Sequence, residues 1–198
     1  MIPSEEMKIA VHPMDFEEFQ SAIQGNTYQL SKEVYKNGKS VGGQIHRKWM
    51  KDFRLYMAVG GMPQAVEAYL EGKNFTETEK DISRHKLPAN LGYLYENAAA
   101  QMIAAAGHEL YYHTWDKEKS THYYEIDFLI SQGAKVKAIE VKSSGVVRHE
   151  SLKIFRKKYS KVLASSILVS SKDRKTEDGI DFLPVYMLDF AANNIEIN

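Results

Sequence analysis

The sequence predicts an α/β fold, a mixed sheet flanked by helices and preceded by a small helical N-terminal region. Three observations predict it. From Gly92 onward the pattern reads helix, three strands, helix, strand, strand, and strands mixed with crossover helices form a sheet covered by helices. Residues 44–71 show helical periodicity alone. Between the two, Asn74–Ala89 is polar, charged and punctuated by proline, which places a boundary inside it. The expected division is residues 1–89 for the helical region and 90–198 for the sheet domain.

The elements follow in order. Residues 8–12, KIAVH, suit a short strand that Pro13 stops. Asp15 can cap a helix over FEEFQSAI, with Glu17 and Glu18 at its positive end. Residues 28–40 are weakly patterned. Within them NGKS (Asn37–Ser40) has Glu33 where a phosphate-binding loop needs glycine, so it reads as a turn and no ATP site is expected. Gln44–Val59 reads as a helix with Trp49, Phe53 and Tyr56 on one stripe, and Arg47, Lys48, Lys51, Asp52 and Arg54 largely elsewhere. Gly60-Gly61 ends it, and Pro63 starts a second helix that Gly72 closes. Gly92–Ala106 is alanine-rich, with Gly107 as its C-terminal cap. Strands are expected over Glu109–Trp115, Tyr123–Ser131, Lys135–Ser143, Val162–Ser170 and Phe182–Leu188. A helix is expected over Glu150–Tyr159, and a charged loop over Ser171–Gly179.

Composition narrows the function classes. The chain has 198 residues, 43% of them hydrophobic, as in globular proteins. It has no cysteine, which excludes disulfides, thiolate metal sites and cysteine nucleophiles and fits the reducing cytoplasm. No apolar run is long enough to span a membrane. Lys and Arg balance Asp and Glu at 26 each, yet the distribution is uneven. Residues 133–175 carry 12 Lys and Arg against three acids, a local charge of +9 that can bind a polyanion.

The chemistry concentrates in the strand pair HYYEIDFLISQGAKVKAIEVKSS (His122–Ser144). Strict alternation would set Tyr123, Glu125, Asp127 and Leu129 on one face, with Tyr124, Ile126, Phe128 and Ile130 on the other. It would likewise group Val136, Ala138, Glu140 and Lys142. Asp127, Glu140 and Lys142 can then converge. Mg²⁺ (or Mn²⁺) held by Asp127 and Glu140, with the Val141 carbonyl as a third ligand, could offset the charge of phosphodiester hydrolysis. Lys142 would stabilise that charge or orient the attacking water. Glu96 shares a helix face with Ala99, Ala100 and Ile103, and a carboxylate on an apolar face needs a partner. It would join the site through water or a neighbour. The plain alternative is a solvated strand face, since an Asp followed by Glu-x-Lys also arises by chance in so charged a chain. For the downstream helix, Arg148, His149, Lys153, Lys157 and Lys158 are candidate nucleic-acid contacts, with a solvated amphipathic helix as the alternative.

Asp127, Glu140-Val141-Lys142 and a preceding helical Glu96 resemble the PD-(D/E)XK nuclease superfamily, whose restriction-endonuclease-like fold has this element order. PMDFEEF (Pro13–Phe19), YMAVGGMPQAV (Tyr56–Val66), GYLYENAAAQMI (Gly92–Ile103), YEIDFLI (Tyr124–Ile130) and AIEVKSS (Ala138–Ser144) together resemble the C-terminal region of a prokaryotic family of AAA-type ATP-binding proteins. In that family a P-loop ATPase domain comes first and a nuclease-like domain of unknown function ends the protein. The resemblance implies a Mg²⁺-dependent DNA nuclease and an ATPase-domain partner or a homodimer. The P-loop domain and a winged-helix-like stretch expected before Gly92 are not in this sequence, so no ATPase activity is expected of it. A catalytically inactive nucleic-acid-binding module and a protein-interaction or regulatory module are the competing functions.

Overall fold

The computed structural model describes residues 12–24, 28–72, 91–118, 120–143 and 149–193. Four helices come first: α1 (Phe16–Gln24), α2 (Tyr28–Lys36), α3 (Gly43–Val59) and α4 (Pro63–Leu70). The start of α1 is a reciprocal cap. The Glu18 N–H donates to Asp15 Oδ1 at 2.8 Å, and the Asp15 N–H donates to Glu18 Oε2 at 3.0 Å. Residues 28–36, weakly patterned in sequence, are helical because Ser31 and Tyr35 pack inward one turn apart. The NGK stretch after α2 is the expected turn, with Gly38 at φ 65°. Trp49, Phe53 and Tyr56 form the buried stripe of α3. Asp52, expected largely off that stripe, is also buried, and its Oδ2 accepts from Lys48 Nζ at 2.9 Å.

The sheet domain runs α5 (Leu91–Ala105), β1 (Tyr111–Asp116), β2 (Tyr123–Gln132), β3 (Lys135–Val141), α6 (Glu150–Lys158), β4 (Leu163–Ser170), β5 (Lys175–Glu177), β6 (Ile180–Pro184), a 3₁₀ turn (Val185–Met187) and α7 (Leu188–Ala192). The six strands form one mixed sheet in the order β1-β2-β3-β4-β6-β5. β1, β2 and β3 are antiparallel neighbours, β3, β4 and β6 run parallel, and β5 returns antiparallel. Two readings of the sequence change here. The charged loop 171–179 contains β5, because Asp178 and Gly179 form a tight turn at positive φ that folds β5 onto β6. The last strand stops at Pro184. Residues 185–192 coil into the 3₁₀ turn and α7, and all are buried.

One face of the sheet packs against α6 through Ile126, Ala138, Leu152, Phe155, Leu168, Ile180 and Phe182. The other face, with Ile130, Ile139, Val141, Ile167, Val169 and Leu183, belongs to a larger core that takes in α1, α3, α5 and α7. The expected boundary at 74–89, the 8–11 part of the first strand, and Arg148 lie outside the described residues. On both sides of that boundary the chain feeds the same core.

Candidate active site

Gly133, at φ 60°, turns β2 into β3, and the backbone pairs run from Gln132↔Lys135 to Phe128↔Ile139. Beyond the last of these pairs, Asp127 Oδ2 accepts the Val141 N–H at 2.6 Å. The other edge of β2 is irregular. Tyr111 pairs with Leu129 and His113 with Ile126, so β2 holds one extra residue in that interval. Asp127 and Phe128 are therefore the bulged pair opposite Tyr112. Strict alternation of β2 fails at this point. Ile126 packs in the α6-side cluster with Leu129, while Phe128 and Ile130 pack on the opposite face. An extra residue bends a strand and re-aims its side chains, and here it turns Asp127 to the end of β3. In β3 the expected alternation holds, with Ala138 in the α6-side cluster and Ile139 and Val141 in the larger core.

Glu140 is 3% exposed. Its Oε1 pairs with Lys142 Nζ at 2.9 Å, and Lys142 lies just past the end of the strand. Among the described residues, Glu140 Oε2 is buried with no hydrogen-bond partner. α5 begins beside this end of β3, since a Cβ on Gly92 would lie 3.9 Å from Ser143 Oγ. Glu96 follows Gly92 by one helical turn, which puts both on the same side of α5. The four charged groups sense one another. Burial pushes the Glu140 carboxyl up, with Asp127 adding to the shift and Lys142 and His149 opposing it. Burial likewise raises Asp127, against the Val141 N–H and Lys142. Glu96 is raised by burial, then by Asp127 and Glu125, with Lys142 opposing. Burial disfavours the charge on Lys142, but Glu140, Asp127 and Glu96 outweigh it and hold the ammonium above the usual lysine range.

The structure thus draws Asp127, Glu140 and Lys142 together, with Glu96 on α5 near enough to act on Asp127 and Lys142. Val141 contributes its N–H to Asp127 and is itself buried. His149 stands at the N-terminus of α6, close enough to act on Glu140. The other candidate contacts sit apart from the carboxylates along α6. Lys153 pairs with Asp178 at 3.1 Å, Lys157 is exposed, and Lys158 lies over the rings of Trp115 and Tyr159. Glu125, which acts on Glu96, was not singled out in the sequence. Nothing there reveals the bulge that follows it in β2.

The fold and site define an α/β domain with one buried carboxylate, one half-buried carboxylate and a lysine at one strand end. Residues 91–188, just under half of the chain, match the family model described as "Domain of unknown function (DUF4143)". No curated protein matches the chain significantly.

Proposed function

We propose that the sheet domain is a PD-(D/E)XK nuclease-like domain that binds DNA and hydrolyses its phosphodiesters with Mg²⁺ or Mn²⁺. The buried, unpartnered Glu140 Oε2 beside Asp127 carries the reading. A buried carboxylate oxygen lacks compensation unless a cation or donor meets it. Lys142 occupies Oε1, and the Val141 N–H occupies one oxygen of Asp127. The free oxygens, with the Val141 carbonyl, are the ligands that remain. Among the described residues, no group of three or more acids or histidines is placed to hold a metal. A two-carboxylate set nevertheless fits Mg²⁺, which keeps several waters and takes substrate phosphate as a ligand.

A bound cation would offset phosphoryl charge and acidify a water. The chain's own groups do the rest. Lys142 stays protonated and can stabilise the developing negative charge. Glu96, with its raised proton affinity, can exchange a proton with a water at the rim. The five phrases of sequence support reading the chain as the C-terminal region of an AAA-type ATP-binding protein of prokaryotes.

Calorimetric titration of Mn²⁺ tests the site. The wild type should show a saturable heat that Glu140→Gln lacks. Equal heats in both proteins would remove Glu140 as a ligand.

A further inference from the structure

We propose that the cleft where β4 ends, between the N-terminus of α6 and the 171–175 turn, binds a backbone phosphate of a polynucleotide strand lying across the carboxylate site. The cleft has a volume of about 580 Å³ and is lined by His149, Ser170, Lys172, Arg174, Lys175 and Phe182, together with Asp173. That volume lies within the usual range of ligand sites, roughly 300–1,000 Å³. It opens at the carboxyl ends of parallel strands, where crevices of open α/β sheets take ligands.

Its charge is cationic once internal bonds are assigned. Asp173 is the only acid in the lining among the described residues, and its carboxylate is spent on the chain: it accepts from Ser40 Oγ at 2.5 Å, the Gly42 N–H at 3.2 Å and the Arg174 N–H at 2.7 Å. Arg174 turns away, donating to the Tyr35 carbonyl at 2.7 Å and stacking over the Tyr35 ring. Lys172 and Lys175 remain. No hydrogen bond or ion pair among the described residues engages the Lys172 side chain. Lys175 sits 4.5 Å over the Phe182 ring and pairs with the exposed Glu177, a contact that solvent weakens. The Ser170 hydroxyl accepts the Lys172 N–H at 3.2 Å and keeps its proton to donate. Two ammonium groups, one hydroxyl and a helix N-terminus suit an anion.

Register fixes the relation to the carboxylates. Glu140 pairs with Leu168, and the Lys142 N–H donates to the Val169 carbonyl at 2.8 Å. Ser170 therefore lies on the next rung, one strand over from Lys142. A strand that presents one phosphate to the carboxylates places a neighbouring phosphate over this cleft. The choice of a polynucleotide rests on the nuclease reading; the affinity for phosphate does not.

The test is fluorescence anisotropy of a short labelled single-stranded DNA with EDTA present, across a range of salt. Lys172→Ala with Lys175→Ala should weaken binding about tenfold and lower the salt slope by about one. Glu177→Gln, an exposed change that frees Lys175, should tighten binding. Unchanged affinity in both variants overturns the cleft, whatever the outcome of cleavage assays. Competition by a mononucleotide as effective as that by the oligonucleotide also overturns it, because the ligand is then a free phosphoester. Lysine-dependent binding without metal-dependent cleavage keeps the cleft and removes the nuclease reading.

Discussion

Burial decides how several acids of this protein hold their protons. Glu96, Asp127, Glu140 and Asp189 are all shifted upward, and in each the loss of water is the largest cause. Asp189 is the extreme case. It lies fully buried in α7, accepts the Glu17 backbone N–H, and feels Asp15, Glu17 and Glu18 as like charges. Its Oδ1 has no hydrogen-bond partner among the described residues. A carboxyl whose pKa rises on folding binds more protons folded than unfolded. Stability then falls as pH climbs from the ordinary value of 3.8 through the folded-state value. Asp189→Asn should make this decline shallower, measured as melting temperature against pH. Parallel profiles for variant and wild type would contradict the assignment. The placing of Asp127 depends on the bulge, whereas the pairing of Glu140 with Lys142 was legible because strand alternation acts locally. Asp189 was not, since its neighbours lie at the other end of the chain.

At the scale of elements, sequence patterning served helices better than strands. The Asp15–Glu18 cap was half visible, with Asp15 expected as the cap and Glu18 only as a favourable charge. Asp15→Ala should cost about 1 kcal/mol, read from urea unfolding. The bulge in β2 was invisible, because Tyr124–Phe128 alternates, the apolar run 128–130 also suits a strand buried on both faces, and only the pairing with β1 shows the extra residue. The stretch 182–192 misled for another reason: apart from Asp189 it is apolar, so no period separates a strand from a buried helix. The two glycines after α3 differ in kind. Gly60 sits at φ 83° with open space where a Cβ would go, whereas a Cβ on Gly61 would collide with the Met14 carbonyl and Gln101. Gly60→Ala should cost about 1 kcal/mol of backbone strain. Gly61→Ala should cost more, on the order of 2–3 kcal/mol, because the Met14 backbone must move. Equal losses in chemical denaturation would refute the distinction.

Across the whole molecule, one core joins the helical region to the sheet. Trp49 of α3 packs edge-on against Tyr186 beyond β6, and Tyr35 of α2 lies against Phe190 of α7. His46 adds polar links, to Tyr186 Oη at 2.9 Å and the Ser171 carbonyl at 3.1 Å. Trp115 reports the opposite face, among His113, Tyr124 and Phe155. Variants that keep only Trp49 or only Trp115 should therefore unfold in urea with the same midpoint. Separate midpoints would show that the two regions fold independently. The sequence suggested a boundary because residues 74–89 are polar; it could not show that the helices before them cover the sheet after them.

We propose Asp127, Glu140 and Lys142 as a metal-dependent phosphodiesterase site. Nicking of supercoiled plasmid DNA tests it most directly, comparing wild type with Asp127→Asn and Lys142→Ala, with Mg²⁺, Mn²⁺ or EDTA. The wild type should nick only with metal, and each variant should lose about a hundredfold or more in rate while keeping its far-UV circular dichroism. No metal-dependent nicking by the wild type, or equal nicking by both variants, would contradict the claim.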